Sequence, residues 1–208
     1  MKYETVLWDF NGTLLDDVGA GVRAVNDMLR ARGLPELSSL DEYYAKFGFP
    51  IQDYYRRLGF DCEGDAFDSL AREWVENYNR YSRSSSLRPG ILQVLEEFRR
   101  RGLRQIILSA SENAMLSRQV ELLGIRGFFD ELIGCDTIYG EGKDAAARTL
   151  AARLSGTRLM VGDTLHDYEV SKIVGADCVL LEGGHHSAAI LRQSGAAVLP
   201  DSAALLDF

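Results

Sequence analysis

The chain has 208 residues, 46 % of them apolar, enough for one large domain or a domain with a sizeable insertion, and this argues against wholesale disorder. A formal charge of −8 argues against nonspecific nucleic-acid binding, which feeds on basic surface. It leaves an anionic substrate open, because a bound metal can reverse the field locally.

In chain order, Thr5-Val6-Leu7-Trp8 is short, β-prone and largely apolar, which predicts a buried strand. Val18, Val22, Val25 and Leu29 then recur at helical spacing, with Gly33 as a stop. Ser39 with Glu42 predicts a capping box for the next helix, and Pro50 suits the first position of "PIQDYYRRL". Phe67, Leu70, Trp74, Tyr78 and Tyr81 form a further helical stripe, expected to be packing core. Residues 17–86 therefore read as helices with no convincing strand. After "SRSSSLRPG" the texture switches: a helix from Ile91 to Gly102, a strand over Leu103–Leu108, and a helix over "SENAMLSRQVELLG". A short strand near Leu132-Ile133 follows, then a helix from about Lys143 to Leu154 and a strand at Leu159–Val161. The helix "DYEVSKIVG", the strand "CVLL" and a helix near "AAILRQ" complete the pattern. Alternation of this kind predicts an α/β fold: a doubly wound parallel sheet (Rossmann-like core), built from residues 1–16 and 87–208, with an all-helical cap inserted at 17–86. The expected strand order is 3-2-1-4-5. The small polar residues near Asp16-Asp17 and Ser84–Arg88 are expected to act as hinges.

Two strands end in carboxylates, Asp9 after "TVLW" and Asp163 in "LMVGDTLHD". Ligands of open parallel sheets bind beyond the carboxyl ends of the strands, and a pair of hard anionic oxygens there suits Mg²⁺. Asp167 lies four residues on and faces the same space, or simply caps its helix. Ser109, ending "IILS", offers a hydroxyl and the following N–H of Ala110 to an oxyanion, while Ser111 reads as a helix cap. Lys143 sits at a helix start, where the dipole disfavours a cation, so a phosphate-binding role gains weight.

These features together resemble the haloacid dehalogenase-like hydrolases. That family carries Asp-x-Asp-Gly-Thr after the first strand, Ser or Thr after a second, a later Lys, and Gly-Asp-x-x-x-Asp after another strand. Here they are "DFNGT" (Asp9 to Thr13), Ser109, Lys143 and "GDTLHD" (Gly162 to Asp167). The helical cap and "GTLLDD" look most like the phosphoglycolate phosphatase branch. The resemblance implies a Mg²⁺-dependent phosphatase for a small phosphorylated metabolite, phosphoglycolate-like, acting through an aspartyl-phosphate on Asp9. It implies Mg²⁺ held by Asp9, Asp163 and the backbone carbonyl of Asn11, with Asp167 binding metal-bound water or steadying Lys143. Thr13, Ser109 with Ala110, and Lys143 would bind the phosphoryl group. The family's second carboxylate protonates the leaving group, and here it is Asn11. An amide cannot exchange protons near neutral pH, so the acid–base role is vacant and turnover is expected to be slow or confined to good leaving groups.

Other readings fare less well. "GAGVRA" (Gly19 to Ala24) lacks the strand-to-glycine spacing of a dinucleotide site, and "GEGKD" lacks the upstream Gly of a phosphate loop. His185 and His186 are expected in a solvated loop, and Lys46, Arg56 and Arg57 on a solvated face. A non-catalytic phosphate-binding or regulatory protein is the alternative class. A phosphonate hydrolase is another and would need a cap lysine, for which Lys46 is the sole candidate. Cys62, Cys135 and Cys178 show no paired spacing and predict free thiols. With no long apolar run near the start and no membrane-length stretch anywhere, a cytoplasmic chain without membrane or nucleic-acid partners is expected. The sequence is silent on oligomeric state.

Overall fold

Strand β1 (Thr5–Trp8) is buried at all four positions, as a strand covered on both faces must be. The structure, a computed structural model, describes residues 2–207. Around β1 lies a six-stranded sheet in the order β3-β2-β1-β4-β5-β6, with every pairing parallel. The strands are β2 (Arg104–Glu112), β3 (Glu131–Cys135), β4 (Arg158–Gly162), β5 (Asp177–Leu181) and β6 (Ala197–Leu199). The expected order of the first five holds. Strand β6 escaped the sequence reading because three half-exposed edge residues carry no periodicity.

Alternation along the strands splits the core into two layers. Val6, Trp8, Ile107 and Val161 pack on one face beneath α5 (Ile91–Arg100) and α6 (Asn113–Leu122). Leu7, Ile106, Leu108 and Met160 pack on the other beneath α7 (Asp144–Ala151) and α8 (Leu165–Val174). The polar atoms taken into the first layer are paired: Trp8 Nε1 donates to Gln105 Oε1 at 3.1 Å, and Gln105 Nε2 donates to the Leu95 carbonyl. Helix α9 (Ala188–Leu191) precedes the edge strand.

Between β1 and α5 the chain forms α1 (Val18–Ala31), α2 (Leu40–Lys46), α3 (Ile51–Leu58) and α4 (Asp65–Tyr81), with its own apolar cluster around Val25, Met28, Tyr54, Tyr55 and Leu70. The glycines of "GAGVRA" lie within α1, not in a turn after β1. Pro50 sits one residue before its helix, and Ser39 caps α2 while Glu42 reaches Ser38 instead of closing the box. The two strands of chain entering and leaving this helical unit lie side by side: Asp16 N donates to the Ser86 carbonyl and Arg88 N to that of Leu14. Asp17 lies at the first of the two expected hinges. It is buried and tied by its carboxylate to Gly12 N and Tyr78 Oη. Among the described residues no helix is long and apolar enough to cross a membrane, and all three cysteines are free.

Candidate active site

Parallel register brings three strand ends to one edge. Trp8 pairs with Ile107 on one side and Val161 on the other, so Asp9, Ser109 and Asp163 emerge together. Carboxylate oxygens of Asp9, Asp163 and Asp167 lie within 4.8 Å of one another. Lys143, only 1 % exposed at the start of α7, places Nζ 2.5 Å from Asp9 Oδ1, 2.6 Å from Asp167 Oδ1 and 2.8 Å from the Leu108 carbonyl.

Each carboxylate is held differently. Asp163 accepts from Thr13 Oγ1 at 2.5 Å and from His185 N at 2.6 Å. The backbone comes so close that a Cβ on Gly12 or Gly184 would collide with its carboxylate, and Gly12 also has a positive φ of 73°. Thr13, expected to touch substrate, steadies the Asp163 carboxylate through this bond. Asp167 closes a capping box with Thr164, its Oδ2 accepting from the N–H groups of Asp163 and Thr164 and from Thr164 Oγ1. Thr164 is thus the N-cap of α8, and Asp167 both closes the capping box and pairs with Lys143. Burial pushes the Asp9 carboxyl well above the usual range, and burial likewise raises Asp163. Burial acts on Asp167 in the same sense, but Lys143 holds it below its ordinary value. Lys143 stays charged, because Asp167 and Asp9 outweigh its burial.

Three buried carboxylates against one ammonium leave an excess of negative charge, all on hard oxygens. A divalent cation such as Mg²⁺ fits this donor set, and the glycine backbone around Asp163 leaves room for no larger residue.

Strand β2 runs further than the sequence suggested, through a register shift between Leu108 and Glu112, and carries Ser109, Ala110 and Ser111 along the cavity wall. Ser109 Oγ accepts from Ser111 N at 3.1 Å. Glu112, not Ser111, caps α6, accepting from Ala114 N and Met115 N. The freed Ser111 hydroxyl donates to Asn11 Oδ1 at 2.6 Å.

Asn11 is fully engaged. Its Nδ2 donates to Asp17 Oδ2 at 2.7 Å and to Tyr78 Oη at 2.8 Å. Asp17 has the composition of a helix N-cap, yet its carboxylate turns away from α1 and accepts from Gly12 N, Asn11 and Tyr78. His185 Nε2 lies 3.4 Å from Asp17 Oδ1, and its Nδ1 is 2.6 Å from Tyr43 Oη. Despite burial, which opposes the charge, Asp17 raises the His185 pKa to about 9. Burial would raise Asp17, but His185, Tyr78 and Asn11 hold it below its usual value. The adjacent His186 is lowered to about 4 by burial, and its Nδ1 accepts from Leu165 N. Both histidines are thus buried, not in a solvated loop. Glycines preceding a His-His pair disguised a segment that folds over Asp163.

His166 is half-buried and its Nε2 accepts from Lys143 N at 3.1 Å, which requires that nitrogen to be unprotonated. Burial, then Lys143, lowers its pKa accordingly. Lys46 Nζ donates to the Arg57 carbonyl, Arg57 Nε to that of Lys46, and Arg56 pairs with Asp53; none lines the cavity. The lysine a phosphonate hydrolase would need is therefore turned elsewhere. Trp74 and Tyr78, expected in the packing core of the helical unit, line the cavity. The sequence reading missed Asp17, Tyr43, Tyr78, His185 and Arg88, whose Nη1 donates to the Gly12 carbonyl at 2.6 Å. The one signal available was the pair Asp16-Asp17, separated by two residues from Asn11-Gly12-Thr13.

Comparison with known proteins agrees with this geometry. The family model described as haloacid dehalogenase-like hydrolase matches residues 6–181. A phosphoglycolate phosphatase of Pseudomonas putida is 29 % identical over 213 aligned positions, covering 97 % of this chain and 78 % of that protein. A phosphoglycolate phosphatase of Rhodobacter capsulatus is 26 % identical and covers 98 % of this chain and 92 % of its own. Among solved structures, a predicted phosphoglycolate phosphatase from Haemophilus somnus 129PT superposes with a TM-score of 0.81 at 19 % identity, covering 100 % of this chain and 98 % of that one.

Proposed function

Since this chain belongs to the haloacid dehalogenase-like hydrolases, we propose that it is a Mg²⁺-dependent phosphatase acting on a small phosphate monoester, with Asp9 as nucleophile. The observation that carries the reading is the placement of Asp9 on the cavity wall beside a buried ammonium and a serine hydroxyl, with two further carboxylates behind it. An Asp9 oxygen attacks phosphorus, the phosphorus–ester oxygen bond breaks, and the leaving oxygen takes the electron pair. Water then attacks the phosphorus of the aspartyl-phosphate, which releases Asp9 and inorganic phosphate. Lys143, Ser109 Oγ and the Ala110 N–H bind the phosphoryl oxygens. Asp9, Asp163 and the Asn11 carbonyl would hold Mg²⁺. When bound, the ion supplies charge neutralisation between Asp9 and the phosphoryl group. Asp167 keeps the Lys143 ammonium in place.

Asn11 gives neither step a proton donor or acceptor. Names carried by the relatives, phosphoglycolate phosphatase, support phosphomonoester chemistry. The test is phosphate release from a panel of monoesters with Mg²⁺ and with EDTA, using the wild type and Asp9→Asn. Acid-quenched wild type should carry a phosphoryl adduct on the peptide containing Asp9. Phosphate binding without turnover or adduct would instead mark a non-catalytic member of the family.

A further inference from the structure

The cavity above Asp9 is walled by rings. Phe47, Phe49, Tyr54, Trp74 and Tyr139 face it, and among the described residues its one Lys or Arg is Lys143, already paired with Asp9 and Asp167. Asp17 and Glu112 add negative charge to the lining. His185 is committed through both ring nitrogens to Asp17 and Tyr43, and His166 accepts from the Lys143 backbone. A carboxylate on the substrate would lose its hydration here and meet no free cation, which is strongly unfavourable. A neutral ring would meet aromatic faces. The volume, about 130 Å³, includes the space beside Asp9, Ser109 and Lys143 that the phosphoryl group takes, so the cavity admits no more than one ring.

The second observation is independent of the cavity. Asn11 cannot protonate a leaving oxygen, so the departing group must be stable as an anion. A phenolate, with a parent pKa of about 10, meets that demand, whereas an alkoxide, near the ~15.7 of water, does not. Resting on the phosphatase reading above, we infer that the substrate class is a neutral, single-ring aryl phosphate rather than a carboxylate-bearing ester such as phosphoglycolate. In the first step the aryl C–O bond stays intact, the P–O bond breaks, and the phenolate leaves with the electron pair and takes its proton from water.

The experiment compares phenyl phosphate, benzyl phosphate, 4-carboxyphenyl phosphate and phosphoglycolate at saturating Mg²⁺, with Asp9→Asn as control. Phenyl and benzyl phosphate should share a KM at least roughly tenfold below those of the two carboxylates, because charge and ring set binding. Benzyl phosphate should turn over about 10²–10⁴ times more slowly than phenyl phosphate, because the missing acid sets kcat. Tyr139→Arg, at a half-buried loop position outside the chemistry, should selectively lower the KM for 4-carboxyphenyl phosphate. Asp9-dependent hydrolysis that favours phosphoglycolate over phenyl phosphate overturns this inference and leaves the phosphatase reading standing. Absence of Asp9-dependent hydrolysis for every ester overturns both.

Discussion

Restoring the family carboxylate by Asn11→Asp should destabilise the protein instead of simply repairing it. Asn11 Nδ2 lies 2.7 Å from the buried Asp17 Oδ2 and also donates to Tyr78, so the substitution sets two carboxylates in contact and removes two donated hydrogen bonds. At an effective dielectric constant of about 20, two charges 2.7 Å apart repel by roughly 6 kcal/mol. Taking up a proton relieves this. For a carboxyl of unfolded pKa near 3.9, holding that proton at pH 7 costs about 4 kcal/mol, which is the ceiling on the electrostatic part of the loss. The folded-state pKa lies above the unfolded one, so this part of the loss is absent below about pH 4 and grows by about 1.4 kcal/mol per pH unit until the folded-state value is passed. At pH 5 it is about 1.5 kcal/mol. Thermal unfolding should show Asn11→Asp melting about 8–16 °C below wild type at pH 7 and much closer to it at pH 5. Asn11→Asp with Asp17→Asn relieves the contact between like charges but takes the carboxylate partner away from His185, so it should recover only part of the stability, and it should gain alkyl-ester hydrolysis by up to ~10²–10⁴-fold. If Asn11→Asp alone melts with wild type at both pH values, the contact with Asp17 does not explain the amide and the reasoning is wrong.

The Asp17–His185 pair should make the metal-free protein sensitive to alkali. His185 rises from 6.5 to about 9 on folding, so its contribution is complete below pH 6.5 and lost as pH passes 9. Urea unfolding in EDTA should show a loss of about 3 kcal/mol across that window, flattened in His185→Asn. Gly184→Ala puts a methyl group against the Asp163 carboxylate, and calorimetry should find Mg²⁺ affinity reduced at least roughly tenfold. Thr13→Val removes the 2.5 Å hydrogen bond to Asp163; it should weaken Mg²⁺ by a similar factor while leaving the KM for ester at saturating metal unchanged, and a raised KM would return Thr13 to the substrate.

Hydrophobic patterning, strand-end residues and the family resemblance of the motifs were together enough to read the sheet order, the helical insertion and the meeting of Asp9, Ser109, Lys143, Asp163 and Asp167. Parallel strands in register must deliver their last residues to one edge, so a motif placed just past each strand is a statement about space as well as sequence. The surroundings of Asn11 were not legible in this way. Asp17, Tyr78 and His185 come from a linker, the far end of a long helix and a loop beyond β5, and meet only because the helical unit folds back over the sheet. The same closure turned the Phe67–Tyr81 stripe partly toward the cavity, since helical spacing defines a face but not what that face covers. Residue type fixed which groups could carry charge or a nucleophile. Contacts between segments distant in the chain decided which of those groups were neutralised, which were buried beside one another, and why an amide stands at position 11.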